Sequence, residues 1–156
     1  MDLSLLRQAI ELARVNGADG QLPFGAVIAQ GAEVVATGVN TSLADDDPTA
    51  HGEVVAVRAA CRKLGTISLA GTTLYTSCEP CPICHTVAIA AEIDRIVYAA
   101  PTEWVPDLGT PFAPVLIDIQ SAARQLDPGR IEQIELPEAR EPFAAYLRRH
   151  RRENRR

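Results

Sequence analysis

Thr72-Thr73-Leu74-Tyr75-Thr76-Ser77-Cys78-Glu79-Pro80-Cys81-Pro82-Ile83-Cys84 carries the chain from one kind of secondary structure into another. The β-branched and aromatic residues of Thr72–Thr76 predict a strand. Pro82 suits a first helical position, so a helix is expected from about Pro82 to Glu92, followed by a second strand over Arg95–Ala99. Upstream, Pro48 and the candidate N-cap Thr49 lead into a helix over 50–64 closed by Gly65. Before it, Ala26–Ala29 and Glu33–Val39 read as a hairpin turning at Gln30-Gly31. Leu3, Leu6, Ala9, Ile10 and Ala13 recur at helical spacing over 3–16, with Asn16-Gly17 as a stop. Downstream lie a loop with Trp104 and Asp107, a helix near Pro114–Leu126, a strand near Ile131–Leu136 and a final helix Pro142–Arg152. Strands alternating with helices predict an α/β fold, a partly parallel five-stranded sheet with helices on both faces and its ligand site at the carboxyl ends of strands.

Composition agrees with one domain over 1–156, its C-terminal helix and basic tail occupying about 142–156. Of 156 residues, 47% are hydrophobic and 22% charged, with 11 Pro and 10 Gly, which excludes a disordered tail or a collagen. A chain of this size buries roughly 70% of its unfolded surface, enough for a core without covalent staples. Apolar stretches such as Thr86–Ala91 are far below the ~20 residues of a membrane span, and Met1-Asp2-Leu3 lacks a basic signal opening. The expected compartment is therefore a reducing cytoplasm, where four cysteines serve as metal ligands, catalytic groups or core residues rather than disulfides. The net charge of −5 divides unevenly: Arg148 to Arg156 carry six Arg and one Glu, leaving −10 on the rest. An acidic body argues against a broad nucleic-acid footprint, and the tail suits a helix C-terminus.

The residues that carry chemistry are His51-Gly52-Glu53 and Pro80-Cys81-Pro82-Ile83-Cys84, each at a helix start. Cys81 and Cys84 share a face of the first helical turn, where the helix dipole favours the ligating thiolate. One imidazole and two thiolates leave zinc an open fourth position, and water there reaches a pKa near ~7, becoming a nucleophile. His51 can ligate while Glu53, two residues on, stays off the metal and handles protons. H-x-E followed by P-C-x-x-C resembles the signature of zinc deaminases. Two other readings of the same residues stand beside it. Cys81 and Cys84 can be a redox dithiol, and Cys78, Cys81, Cys84 and His85 can close a structural zinc knot in a non-enzymatic module. Cys61 and Cys78 read as structural. His85 lies about 100° round the helix from Cys84 and reads as a pocket or packing residue.

At these residues the chain resembles the cytidine deaminase superfamily, within it the bacterial guanine deaminase and tRNA adenosine deaminase branch. The resemblance runs from about Pro23 to Ala100, through Pro23-Phe24-Gly25-Ala26-Val27, Gly38-Val39-Asn40, Asp47–Glu53 and Leu74–Cys81. It implies the superfamily's three-layer α/β/α fold with a mixed sheet, zinc on His51, Cys81 and Cys84, and Glu53 as proton carrier. It also implies Asn40 as the amide that bonds the heterocycle and Phe24 as a pocket ring for stacking a planar base. Trp104 joins the substrate wall, with Asp107 as the nearest candidate for a second proton carrier.

The chain departs from its relatives in that wall. Gly52 replaces the usual alanine, His85-Thr86 a small pair and Ala90 an aromatic. The expected reaction is hydrolytic deamination of an aminated heterocycle with release of ammonia: guanine first, then cytosine, then pterin- or triazine-like amines. The tRNA adenosine alternative rests on Arg148–Arg156 alone. Related guanine deaminases form homodimers in which a C-terminal segment completes the partner's site, which directs attention to Phe143 and Tyr146.

Overall fold

Amphipathic spacing, glycine placement and strand alternation together assemble a three-layer α/β/α sandwich, seen in a computed structural model that describes residues 3–110 and 115–153. Helix α1 (Leu3–Ala18) leads into strands β1 (Gly25–Gln30) and β2 (Glu33–Val39), a short helix α2 (Ser42–Asp45) and helix α3 (Gly52–Leu64). Strand β3 (Thr73–Cys78), helix α4 (Pro82–Ala90), strand β4 (Arg95–Ala100), helix α5 (Val115–Leu126), strand β5 (Ile131–Gln133) and helix α6 (Glu141–Glu153) complete the order. The sheet runs β2-β1-β3-β4-β5. Strand β1 is antiparallel to both neighbours, whereas β3, β4 and β5 are parallel. The mixed sheet expected from the sequence is therefore present.

Period-2 alternation sorts the sheet residues between two cores. Val27, Ala29, Tyr75, Val97 and Ala99 pack with Leu6, Ile10 and Phe143 beneath α1 and α6. Ala26, Ile28, Leu74 and Ile96 pack with Val57, Ala60 and Ala88 beneath α3 and α4. Fully burying one such Leu or Ile is worth roughly 1.5–3 kcal/mol. Gly17 lets α6 close on α1, because a Cβ there would lie 2.9 Å from the Pro142 carbonyl oxygen.

Several boundaries differ from expectation for local reasons. Helix α1 continues past Asn16, whose buried amide donates to the carbonyls of Leu22 (2.8 Å) and Asn40 (2.9 Å) and so anchors a loop instead of ending the helix. Thr49 does not cap α3: its N–H and hydroxyl both go to Asp47 Oδ1 in the preceding turn, and His51 occupies the N-cap. Helix α4 stops at Ala90 because Glu92 turns left-handed (φ 59°), with its carboxylate receiving the Ser68 hydroxyl. Strand β3 extends to Cys78. Strand β5 ends at Gln133, and Leu136 dips into the core before a 3-10 turn at Pro137–Arg140. Pro114 and Asn154–Arg156 lie outside the described residues. Among the described residues no helix is long and apolar enough to cross a membrane.

Candidate metal centre

The carboxyl ends of β2, β3 and β4 and the amino end of β1 meet at one rim of the sheet, since Gly25 pairs with Val39 and Cys78 with Ala100. Helices α3 and α4 both begin at this rim. Their N-cap residues are His51 (φ −71°, ψ 154°) and Cys81 (φ −66°, ψ 170°), and Pro82 takes the first helical position of α4. Helix α3 reaches the rim because residue 38 has no side chain. A Cβ on Gly38 would stand 2.3 Å from the Gly52 carbonyl oxygen and 2.4 Å from the Ala56 nitrogen.

Two helix starts thus bring three donors together. His51 Nδ1 lies 3.4 Å from Cys81 Sγ and 3.4 Å from Cys84 Sγ, and the two sulfurs are 3.6 Å apart. With zinc–sulfur bonds of about 2.3 Å and zinc–nitrogen bonds of about 2.0–2.1 Å, a tetrahedron has edges of about 3.8 Å (S–S) and about 3.6 Å (S–N). The observed triangle matches these within about 0.2 Å, the tolerance of a real metal site. Among the described residues, His51, Cys81 and Cys84 form the one three-donor group of this kind. Neither Cys78 nor His85 joins it, so the knot arrangement is not what the fold assembles. Cys78 is buried at the strand end, Cys61 is half-buried against the α3 core, and His85 is buried with its Nε2 lacking a hydrogen-bond partner.

The triad is electrostatically primed for a cation. Cys81 is pulled down to about 4, chiefly by its contact with the Cys84 sulfur and also by its bond to His51, against the opposing effect of burial. The same sulfur–sulfur contact, together with burial, pushes Cys84 well up. The Cys81 bond raises His51, outweighing its desolvation. Binding a cation at these donors requires Cys84 and His51, both shifted upward, to give up any proton they hold.

Glu53 stands beside the triad without belonging to it. Its carboxyl is 5% exposed, and burial followed by the nearby Cys81 charge raises its pKa. Oε1 receives the Thr76 hydroxyl at 3.1 Å and Oε2 receives the Cys84 thiol at 3.3 Å. Asn40, 2% exposed, accepts the Ser42 N–H on Oδ1 at 2.9 Å, and its own N–H donates to the Phe24 carbonyl. Phe24 and Asn40 are thereby tied together at the rim. The half-buried Phe24 ring meets Phe143 of the same chain edge-on, with centroids 6.1 Å apart. Trp104 and Asp107 are positioned differently. The Trp104 ring lies 4.0 Å beneath the Arg140 guanidinium, while Asp107 is exposed and accepts the Gly109 N–H. Tyr146 donates to the Leu108 carbonyl, so α6 holds this loop from within the chain.

Two residues the sequence did not single out also belong to the site's frame. Thr76, fully buried, is one. Glu79 is the other: its carboxylate accepts the Thr102 N–H (3.1 Å), the Thr102 hydroxyl (3.0 Å) and both ends of the Arg124 guanidinium. Burial alone would raise Glu79, but the bonds from Arg124 and Thr102 outweigh it and hold the carboxyl below its ordinary range. Gln120 donates to the Pro80 carbonyl (3.3 Å) and to Thr102 (2.8 Å), so α5 braces the loop carrying Cys81. The only available signal was the position of Glu79 against Pro80-Cys81.

The guanine deaminase of Bacillus subtilis is 44% identical over 99 residues, 62% of this chain and 63% of that protein. The tRNA-specific adenosine deaminase of Haemophilus influenzae is 34% identical over 112 residues, 71% of this chain and 65% of that protein. The chain thus spans a little under two-thirds of the length of these curated relatives. An X-ray structure of guanine deaminase from Bacillus subtilis superposes with a TM-score of 0.65 at 34% identity, covering 95% of each chain. The profile described as the cytidine and deoxycytidylate deaminase zinc-binding region matches residues 1–100, the span that contains both helix starts. With the donor triangle of a zinc site in that span, the chain belongs to the cytidine and deoxycytidylate deaminase zinc-binding family.

Proposed function

We propose that the protein is a zinc-dependent hydrolase that deaminates an aminated heterocyclic base, guanine first, and releases ammonia. The observation that carries this is the open three-donor triangle of His51, Cys81 and Cys84 with the Glu53 carboxyl alongside. Zinc on these donors supplies Lewis acidity and lowers the pKa of a bound water to about 7. The chain's own groups do the rest. With both sulfurs ionised, Glu53 Oε2 loses its thiol donor and is free to take a proton. Glu53 takes one proton of the attacking water for the ring nitrogen beside the amino-bearing carbon, then the other for the amino nitrogen; the water oxygen stays on the carbon as the oxo group, the C–N bond breaks and ammonia leaves. Burial, which disfavours the charged carboxylate, suits Glu53 to both tasks. The Asn40 amide bonds the ring edge, Phe24 stacks on its face, and Trp104 and Asp107 border the pocket from the loop after β4. Backbone N–H groups at the start of α4 steady negative charge developing on the substrate.

The similarity to guanine deaminase at 34% identity over 95% of both chains supports guanine as first substrate. Cytosine and pterin- or triazine-like amines follow. The tRNA adenosine reading draws on the similarity to tRNA-specific adenosine deaminases and on the basic end of α6. Arg148 and Arg149 there already face Glu141 and Glu153, which favours the small base. Homodimerisation is supported by exposed Ile83, Ile89, Val115 and Ile119 on α4 and α5, and a cytoplasmic location by four free cysteines. The deciding experiment is Glu53→Gln: it retains zinc and loses nearly all turnover of guanine, whereas substantial residual activity refutes the assignment.

A further inference from the structure

Thr76 is a fully buried hydroxyl, 0% exposed, on the sheet face that also carries Ala26, Ile28, Leu74 and Ile96. It sits in β3, registered opposite Ala26 on one side and Tyr98 on the other, so its backbone is fixed from both flanks. From that position Oγ1 reaches Glu53 Oε1 at 3.1 Å and the Cys78 carbonyl oxygen at 3.0 Å. Glu53 is itself buried, and its Oε2 receives the Cys84 thiol, a donor that a metal ion removes on ionising it.

We propose that Thr76 is the positioning residue for Glu53, holding Oε1 against the sheet so that Oε2 alone faces the metal triad. The proposal rests on the reading of Glu53 as proton carrier. A hydroxyl fits the role because it has one proton and free lone pairs. It lies 3.1 Å from Oε1 and 3.0 Å from the Cys78 carbonyl oxygen, so one side of the carboxyl is fixed to the sheet while Oε2 faces Cys84. Valine has the same shape and none of this capacity.

The test compares zinc-loaded Thr76→Val, Thr76→Ser and Glu53→Gln with the parent protein, following ammonia release from guanine and the crystal structure of each. Removing a hydrogen bond to a charged group lowers kcat of Thr76→Val by about 10- to 100-fold. KM and zinc stoichiometry stay as in the parent, because neither metal nor base touches residue 76. Thr76→Ser, which restores the hydroxyl, restores kcat. In the crystals, the Glu53 carboxyl keeps its place in the parent and the serine variant and takes a second rotamer in the valine variant, a readout that needs no substrate. Parental kcat and an unmoved Glu53 in Thr76→Val, with Glu53→Gln inactive, would overturn the proposal and leave Thr76 a packing residue. An active Glu53→Gln overturns instead the reading beneath it. Should Thr76→Val fail to fold, Thr76→Ala against Thr76→Ser poses the same question, with equal activity of the two as the refuting result.

Discussion

Gly38→Ala is the substitution whose effect the geometry defines most sharply. The new Cβ would stand 2.3 Å from the Gly52 carbonyl oxygen and 2.4 Å from the Ala56 nitrogen, both backbone atoms of α3. No rotamer change relieves a backbone collision, so α3 must retreat from β2 by about 1 Å to reach ordinary contact near 3.4 Å. Overpacking of this kind destabilises by about 1–3 kcal/mol, which for a domain with a urea slope of about 1–3 kcal/mol/M lowers the midpoint by about 1 M. The second consequence is functional. His51 stands at the N-cap of α3 and moves with the helix, whereas Cys81 and Cys84 belong to α4. A displacement of about 1 Å is several times the about 0.2 Å a metal site tolerates, so zinc affinity falls by at least the about 10- to 100-fold that loss of supporting contacts produces. The assays are urea denaturation of zinc-loaded protein followed by circular dichroism, and zinc competition against a chromophoric chelator. Gly129→Ala is the matched control, since a Cβ there meets nothing within 4 Å. Parental midpoint and zinc affinity in Gly38→Ala would refute the seating of α3 on β2.

Other outcomes follow from the electrostatics. Any proton held by Cys84 and His51, both shifted upward, must leave when zinc enters. Zinc affinity therefore rises with pH, and titration calorimetry in buffers of different ionisation enthalpy should register net proton release; pH-independent affinity between about 6 and 8 contradicts it. Glu79 is depressed below 4.5 in the folded chain. Its stabilising contribution is present above that value and is lost as pH falls through the lower folded value. Glu79→Gln should destabilise by about 1–2 kcal/mol at neutral pH, a figure discounted because Arg124 is 39% exposed, and should flatten the acid limb of stability against pH. An unchanged acid limb in thermal melts counts against the brace.

What could be read in advance was local. The i, i+3 spacing of Cys81 and Cys84 and the start of α4 at Pro82 are local and legible, whereas α3 begins at Gly52 with His51 rather than Thr49 at its N-cap. The alternating order of elements likewise predicted the mixed sheet. The misread positions owe their conformation to contacts far along the chain. Asn16 looked like a helix stop, but its amide is drawn to Asn40. Glu92 ends α4 without the glycine that usually marks a left-handed terminus. The Thr76–Glu53 pair depends on strand register against α3, and the Glu79–Arg124 pair joins residues 45 apart, so neither leaves a sequence pattern. Trp104 and Asp107 rest on resemblance alone, and the loop that carries them is arranged by Arg140 and Tyr146 from the C-terminal region.

The most direct measurement of the central claim is ammonia release by the purified protein, zinc-loaded and again after chelation, against guanine, cytosine, adenine, their nucleosides, pterins and aminotriazines. The predicted result is turnover of a free aminated base, guanine foremost, that disappears with the metal and returns on adding zinc. Ammonia from none of these compounds, or release undiminished by removing zinc, would contradict it.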